Sequence, residues 1–313
     1  MDSPWRIVFF GTPSFALLPL EELLQGPDEV VGIVTQPDRE KGRGRKVVPS
    51  PIKELALQRG ILLLQPEKVR ERAFQEEIRN LQPELFVVVA YGQILPKPLL
   101  QIPKYGAVNV HASLLPKYRG AAPMVWAILQ GERVTGVTTM MMDEGMDTGD
   151  ILLQAEVSIH EDETGETLHD RLALVGSQLL LETVKGLKAG NVHPIPQDPS
   201  KATYAPLLKK EDGRIDWTME AWEIDRQVRA LHSWPGAFTG WDGQWLKIYR
   251  GEVRKKIVQG RAGMVSWVGA DFIEVETGKG SFLIKEVQLE GKRRMSVREF
   301  LSGHSVMVGT VFS

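Results

Sequence analysis

The sequence predicts an α/β domain built on a doubly wound, mostly parallel sheet, followed by a smaller all-β domain. Apolar, β-branched runs alternate with helical patterns through the first half of the chain, which is typical of parallel strands joined by crossover helices. A proline-containing segment without periodicity comes next. Beyond it, short strands are separated by turn signals, and this pattern favours a small β-barrel of the OB type.

The strands predicted for the first domain are continuous apolar runs, as expected when both faces of a sheet are covered. They are RIVFF (6–10), EVVGIVT (29–35), ILLL (61–64), ELFVVVA (84–90), GAVNVHA (106–112) and VTGVTTMMMD (134–143). The connecting segments carry apolar residues near helical spacing. Helices are therefore predicted at 14–25, 49–60, 69–82, 123–131 and 165–190.

The domain boundaries follow from a change in pattern. Residues 191–213 contain four prolines and show no clear period, which indicates a linker. We therefore predict a first domain over 1–190, a linker over 191–212 and a second domain over 213–313. The second domain opens with a predicted helix from about Met219 to His232 and continues through the turn signals WDGQ, TGKG and LEGK.

Composition limits the available chemistry. The chain has no cysteine, which excludes disulfides, thiolate metal sites and a cysteine nucleophile. It also lacks a signal-peptide pattern and any run near the ~18 apolar residues of a membrane span, so we expect a soluble cytoplasmic protein without a membrane partner.

Residues 206–313 carry 17 Lys and Arg against 14 Asp and Glu (net +3), and residues 1–205 carry 21 against 26 (net −5). This asymmetry is compatible with a polyanionic partner without being diagnostic.

The strongest chemical signal is the stretch NVHASLLPKYRGAAP (109–123). Side chains alternate along a strand, so Asn109 and His111 point to the same face. The following Ser-Leu-Leu-Pro ends the strand and places both groups at its carboxyl end, where open α/β sheets form their ligand crevices. The alternative is that both are ordinary hydrogen-bonded interior residues. Two neighbouring polar groups in an apolar strand cost free energy unless something binds there, so we favour a site.

A second signal is the acidic stretch MDEGMDTGDIL (142–152). One of its carboxylates, which we take to be Asp147, could reach the imidazole of His111 and favour its charged form. A charged imidazole beside a carboxamide would stabilise negative charge on an acyl oxygen. An acidic surface turn or a cation site is the alternative. The sequence shows no matching ligand set at metal spacing, so we predict no metal.

The reaction class follows from what the chain lacks. Without a Ser-x-Gly elbow or a cysteine, a covalent acyl-enzyme is not indicated. Direct attack of an amine on a bound acyl donor needs only an oxyanion partner and a proton carrier. An α-amino group is already partly neutral near pH 7, and Asn109, His111 and Asp147 supply the other functions.

The chain closely resembles the folate-dependent formyltransferases. The matching stretches are FFGTPSFA, VTQPDREKGRGRK, VVVAYGQILPK, NVHASLLPKYRGAAP, MDEGMDTGD, TYAPLL and HSWPGAF. The resemblance implies a Rossmann-like formyltransferase domain that uses the reduced folate 10-formyltetrahydrofolate as co-substrate. It also implies a catalytic trio of Asn109, His111 and Asp147. The residues that it assigns to folate binding are Ser113, Leu114, Leu115, Pro116, Ala90, Tyr91, Gly92 and Asp143.

The loop DREKGRGRK (38–46) has five basic residues, two acidic residues and two glycines. By composition it is a solvated surface loop. By the resemblance it reaches the acceptor stem of a charged initiator tRNA, with Arg43 guiding the 3′ end and Lys41, Arg45 and Lys46 contacting phosphate.

Two alternative functions remain open at this point. The acceptor could be a small amine, such as glycinamide ribonucleotide or an amino sugar nucleotide. The chain could also be an RNA-binding module without activity. The RGAAP continuation and the basic second domain favour methionine carried on initiator tRNA, and nothing implies an obligate protein partner.

Overall fold

The computed structural model describes residues 3–41, 46–258 and 260–313. The chain divides into two compact units, each made of separate segments. The first comprises Met1–Pro123, Val134–Ser158 and His169–Ala205, and the second comprises Met124–Arg133, Ile159–Leu168 and Pro206–Ser313. The last change of unit falls at Ala205, inside the predicted linker. The predicted boundaries at 190 and 212 stay predictions.

The strands of the first unit are short and, where central, buried on both faces. They are β1 (Arg6–Gly11), β2 (Glu29–Val34), β3 (Arg39–Lys41), β4 (Lys46–Val48), β5 (Leu63–Leu64), β6 (Leu85–Val89), β7 (Ala107–His111), β8 (Arg119–Gly120), β9 (Val134–Met141), β10 (Ile151–Ser158) and β11 (Tyr204–Ala205). The helices along this part of the chain are α1 (Leu17–Gln25), α2 (Pro51–Arg59), α3 (Arg72–Asn80), α4 (Lys97–Leu100), α5 (Pro123–Leu129) and α6 (Gly165–Lys188). Within the described ranges, each helix is too short or too polar to cross a bilayer.

The main sheet has seven strands in the order β10-β9-β7-β6-β1-β2-β5. Strands β5, β2, β1, β6 and β7 pair in parallel, whereas β9 and β10 add antiparallel pairs. In β1, Ile7 to Phe10 are fully buried, as expected for a central strand covered on both faces. The predicted doubly wound, mostly parallel sheet is confirmed.

Strand β10 was not predicted. Its residues alternate between buried and exposed positions, which is the pattern of an edge strand with one solvated face. It follows directly on the acidic turns, so the stretch 142–152 is a turn only up to Asp150.

Part of the predicted linker is ordered against the first unit. Ile195 forms an antiparallel bridge with Ile151, and Pro199–Lys201 form a 3-10 turn. Strand β11 then pairs in parallel with β8. This proline-containing stretch has no helical or strand period because each contact is made by only one or two residues.

The second unit has its own core and an antiparallel sheet. Its elements are α7 (Ala221–Ala230), β12 (Ala237–Trp241), β13 (Gln244–Arg254), β14 (Val265–Val268), β15 (Ile273–Glu276), β16 (Ser281–Leu289), β17 (Met295–Ser296) and α8 (Val297–Gly303). The sheet order is β12-β13-β16-β15-β14, and β17 pairs with β16. Helix α7 lies within the predicted range 219–232, whereas the short helix α8 was not predicted.

The last residues of the chain join the two edge strands of this sheet. On one side, the Gly240 N–H donates to Ser313 O at 2.6 Å, and Ser313 N–H donates to Gly240 O at 3.1 Å. On the other, Val265 N–H donates to Thr310 O at 2.7 Å. Because Gly240 lies in β12 and Val265 in β14, the antiparallel sheet is consistent with the OB-like barrel that the sequence predicts.

Phe312 anchors this C-terminal segment, and its removal tests how much that contact stabilises the second unit. Its ring is 2% exposed and lies 6.1 Å from that of Trp217 in the second unit's core. We expect Phe312→Ala to lower the free energy of unfolding by about 3–5 kcal/mol, since it leaves a cavity. The matched control is Met307→Ala, which removes a 71% exposed side chain and should change stability by less than about 0.5 kcal/mol. Urea denaturation of the full chain measures both, and equal midpoints would contradict a stabilising role for Phe312.

Candidate active site

Asn109 and His111 lie side by side on the central strand β7. They are 8% and 6% exposed, respectively, and as alternate residues of one strand they share a face. Asn109 is opposite Val88 of β6 and Met140 of β9. The structure therefore places both predicted side chains together at the carboxyl end of a parallel strand.

The orientation of His111 fixes the position of its protons. Nε2 lies 2.9 Å from the carbonyl oxygen of Tyr118, and because a carbonyl only accepts, Nε2 must carry the hydrogen. Nδ1 faces Asp147, whose Oδ2 is 3.7 Å away. That distance suits an ion pair but is too long for a direct hydrogen bond. Nδ1 is therefore the nitrogen that remains available to a reacting group.

A backbone donor directs the Asp147 carboxylate towards His111. The Gly120 N–H donates to Asp147 Oδ2 at 2.8 Å, and Asp147 itself has a left-handed φ of 53°. Gly120 has a φ of +119°, and a β-carbon there would lie 2.7 Å from Ala205 O. Only glycine fits such a close approach. The structure thus brings Asp147 and His111 together, although they are 36 residues apart in the sequence.

The carboxamide of Asn109 has no hydrogen-bond partner among the residues that the structure describes. The residue is mostly buried, yet its amide nitrogen and oxygen are not fully enclosed. They therefore stay accessible to a ligand, whose oxygen can accept a hydrogen bond from the amide N–H. This accessibility favours a ligand beside β7.

The predicted folate turn, Ser113 to Pro116, is held from the sheet side. Thr138 Oγ1 donates to Ser113 O at 2.6 Å and accepts from Leu115 N at 3.1 Å. Gln154 Nε2 donates to Leu115 O at 2.9 Å. These three backbone groups are therefore already paired, while Leu114 and Pro116 stay half-buried. The Leu115–Pro116 peptide is cis.

The other predicted folate residues also follow strand ends. Ala90 and Gly92 have left-handed φ values of 48° and 92° directly after β6. Tyr91 O accepts from Thr12 Oγ1 at 2.9 Å, and burial raises the pKa of the Tyr91 phenol. The carboxylate of Asp143 accepts from Gly145 N and Thr148 Oγ1. The Asp143 carboxylate therefore stabilises its own loop, whereas the Asp147 carboxylate accepts from Gly120 on a different segment.

The predicted tRNA-contacting residues lie in a small hairpin. Strands β3 and β4 pair with Lys41 opposite Lys46, and Arg43 and Arg45 lie outside the described residues. At the base of the hairpin, Asp38 accepts from Lys53 Nζ at 2.5 Å and from Gln65 Nε2 at 3.0 Å. The hydrogen bond from Lys53 lowers the pKa of the Asp38 carboxyl.

Sequence reasoning missed the groups that orient the trio. These are the Tyr118 carbonyl, the Gly120 N–H and, next to them, Arg119 and Gln197. The glycine after Arg119 was a usable signal, because an isolated glycine indicates a close approach of the backbone. Gln197 offered no such signal, since it lies in a proline-containing stretch that has no helical or strand periodicity. In the described part of the chain, no three His, Cys, Asp or Glu side chains are grouped to hold a metal ion.

Solved structures share this fold at low sequence identity. HypX from Aquifex aeolicus in complex with tetrahydrofolic acid aligns at a TM-score of 0.66 and 19% identity, covering 98% of this chain and 51% of HypX. This chain thus spans about half the length of that protein. An N-formyltransferase from Helicobacter canadensis, solved with folinic acid and dTDP-3-aminofucose, aligns at 0.68 and 18% identity, covering 93% of this chain and 100% of that one.

Comparison with the sequences of known proteins identifies the family of this chain. Residues 5–184 match the model of the formyl transferase family, and residues 207–305 match that of the formyl transferase C-terminal domain. A methionyl-tRNA formyltransferase from Trichlorobacter lovleyi is 52% identical over 98% of this chain and 96% of its own length. The enzyme of that name from Caldanaerobacter subterraneus is 49% identical over 98% and 99%. With a family model matching more than half of its length and relatives about half identical throughout, the chain belongs to the formyltransferase family.

Proposed function

We propose that this protein transfers the formyl group of 10-formyltetrahydrofolate to the α-amino group of methionine carried on initiator tRNA. The observation that carries the chemistry is the placement of His111, between the Tyr118 carbonyl and the Asp147 carboxylate, next to an unpartnered Asn109. The acceptor is supported by the names of relatives about half identical over nearly the whole chain.

The oxyanion is stabilised by two side chains of β7. When the amine attacks the formyl carbon, the carbonyl oxygen becomes negatively charged. The Asn109 amide and the protonated Nδ1 of His111 donate to that oxygen, and such preorganised donors are usually the largest electrostatic contribution to catalysis. The Asp147 carboxylate faces Nδ1 from 3.7 Å while the ring donates.

The proton balance requires one carrier. The attacking amine forms a bond to the formyl carbon and loses a proton, while the bond from that carbon to the folate nitrogen breaks. The released nitrogen takes up a proton, so the net transfer runs from amine to folate. Asp147 is half-buried and moves this proton directly or through water.

The folate and RNA sites extend from this centre. Ser113 to Pro116, Ala90 to Gly92 and Asp143 line the pterin, and a folate ligand is supported by HypX, a protein of the same fold solved with tetrahydrofolic acid. The 38–46 loop contacts the acceptor end of the tRNA. The protein acts in the cytoplasm, and no obligate protein partner is needed.

The acceptor is tested by a side-by-side assay. Formyl transfer from 10-formyltetrahydrofolate is measured with charged initiator tRNA, charged elongator tRNA and glycinamide ribonucleotide. We expect the highest kcat/KM with the initiator tRNA. Preferred turnover of the small amine would point to a different member of the family, and RNA binding without turnover would contradict an enzymatic role.

Each member of the trio should matter for turnover. We expect Asn109→Ala, His111→Ala and Asp147→Ala each to lower kcat by about 10²–10³-fold, the usual loss for one donor to an oxyanion. Initial rates at saturating folate measure this. Exposed residues of the same types supply matched controls, namely Asn80→Ala, His193→Ala and Asp162→Ala, which should leave kcat unchanged. Near-normal turnover in any of the three trio variants would remove that residue from the mechanism.

The loop should act on RNA binding alone. We expect Lys41→Ala, Arg43→Ala, Arg45→Ala and Lys46→Ala to raise KM for charged tRNA and leave KM for folate unchanged. Removing one phosphate-binding side chain should flatten the slope of log affinity against log salt by about 1. Titrations with tRNA at several salt concentrations measure the slope. Lys68→Ala, an exposed lysine of the first unit, is the control, and an equal effect there would contradict a specific role for the loop.

A further inference from the structure

We propose that Gln197 is a positioning residue that holds the Asp147 loop in its working conformation, with Arg119 holding Gln197. This inference rests on the proposed function, because it assigns to Gln197 an effect on formyl transfer that acts through Asp147. Both side chains are buried beside the trio. Gln197 is 9% exposed and Arg119 is 5% exposed.

All polar atoms of the Gln197 amide are engaged by the site. Nε2 donates to Asp147 O at 2.9 Å and to Gly149 O at 2.7 Å. Oε1 accepts from Arg119 Nε at 3.1 Å and from Arg119 Nη2 at 2.7 Å. The amide therefore links two backbone carbonyls of the acidic loop to a buried guanidinium.

Only a glutamine amide satisfies both sides. The loop offers two acceptors, which need two N–H donors, and Arg119 offers two donors, which need one oxygen. A glutamate of the same shape would keep the hydrogen bonds from the Arg119 guanidinium. Its second carboxylate oxygen, however, would face two carbonyl oxygens, and none of these three atoms can donate. A leucine would leave two carbonyls and a buried cation unpaired.

The loop needs such support because its backbone is strained. Asp147 has a φ of 53°, a conformation that non-glycine residues rarely adopt. Gly149 is so close to the preceding strand that a β-carbon there would collide with Met141 O. The two Gln197 bonds fall on these two residues. They stabilise the conformation in which Asp147 Oδ2 meets the Gly120 N–H.

The same segment also holds the opposite side of the site. The Thr203 hydroxyl accepts from Tyr118 N–H at 2.8 Å, and Thr203 O accepts from Arg119 N–H at 2.9 Å. Tyr118 supplies the carbonyl that orients His111. Residues 197–203 therefore contact the Asp147 loop through Gln197 and the Tyr118 backbone through Thr203. The separation of these two sides sets the 3.7 Å distance between imidazole and carboxylate.

The test compares two Gln197 variants with a matched control. Gln197→Glu is isosteric and keeps the contact to Arg119, whereas Gln197→Leu removes both sides. We expect kcat to fall by up to about 100-fold in each, the usual cost of misplacing a group by about 1 Å, with KM for folate unchanged. Gln227→Glu is the control, because Gln227 also donates to two backbone carbonyls, those of Asp212 and Arg214, but lies in the second unit. It should keep wild-type kcat.

A double variant separates positioning from general damage. If Gln197 acts through Asp147, adding Gln197→Leu to Asp147→Ala should lower single-turnover rates no further. Multiplied losses would show a separate, structural effect and overturn the proposal. A wild-type kcat in both Gln197→Glu and Gln197→Leu would also overturn it.

Amide hydrogen exchange tests whether Gln197 holds the loop, independently of turnover. We expect peptides covering residues 143–150 to exchange faster in both Gln197 variants, with the Gln227→Glu protein matching wild type. Unchanged protection of that loop would overturn the proposal whatever the rates. Wild-type protein that fails to formylate any charged tRNA would overturn the proposed function instead, and the exchange experiment would still decide whether Gln197 holds the loop.

Discussion

The site depends on one hydrogen bond between a backbone N–H and a carboxylate. The Gly120 amide holds Asp147 Oδ2 at 2.8 Å and thereby sets it 3.7 Å from His111 Nδ1. An ion pair at this distance in a mostly buried site is screened far less than one in water. In the proposed mechanism, a carboxylate turned away from the ring would leave the imidazole that donates to the oxyanion without its acidic neighbour.

The sheet topology brings these groups together. Strand β7 presents Asn109 and His111 at the carboxyl edge of a buried sheet, where open α/β sheets form their ligand crevices. The acidic loop leaves the end of β9, the neighbour of β7 in the sheet. Segment 195–205 then contacts the loops that follow both strands. The left-handed φ of Asp147 is unfavourable for folding. Such strain, beside an amide that has no hydrogen-bond partner in the described chain, is typical of a site completed by its substrate.

The sequence predicts the fold and the part of the site that lies on β7. Alternation along a strand is enough to place Asn109 and His111 on one face, and the apolar runs are enough to predict the parallel sheet. Among the four acidic residues of 143–150, however, local pattern does not separate Asp143, which bonds its own loop, from Asp147. That choice depends on Gly120 and Gln197, which are distant along the chain. Strand β10 was missed because its one-sided burial is decided by an antiparallel neighbour.

The most direct measurement is a crystal structure of the protein with a stable formyl-folate analogue such as folinic acid. The account predicts the formyl oxygen at hydrogen-bond distance, about 3 Å, from both Asn109 Nδ2 and His111 Nδ1, with the Asp147 carboxylate still bound to the Gly120 N–H. A folate seated with its formyl group out of reach of both side chains, at a site away from the end of β7, would contradict it.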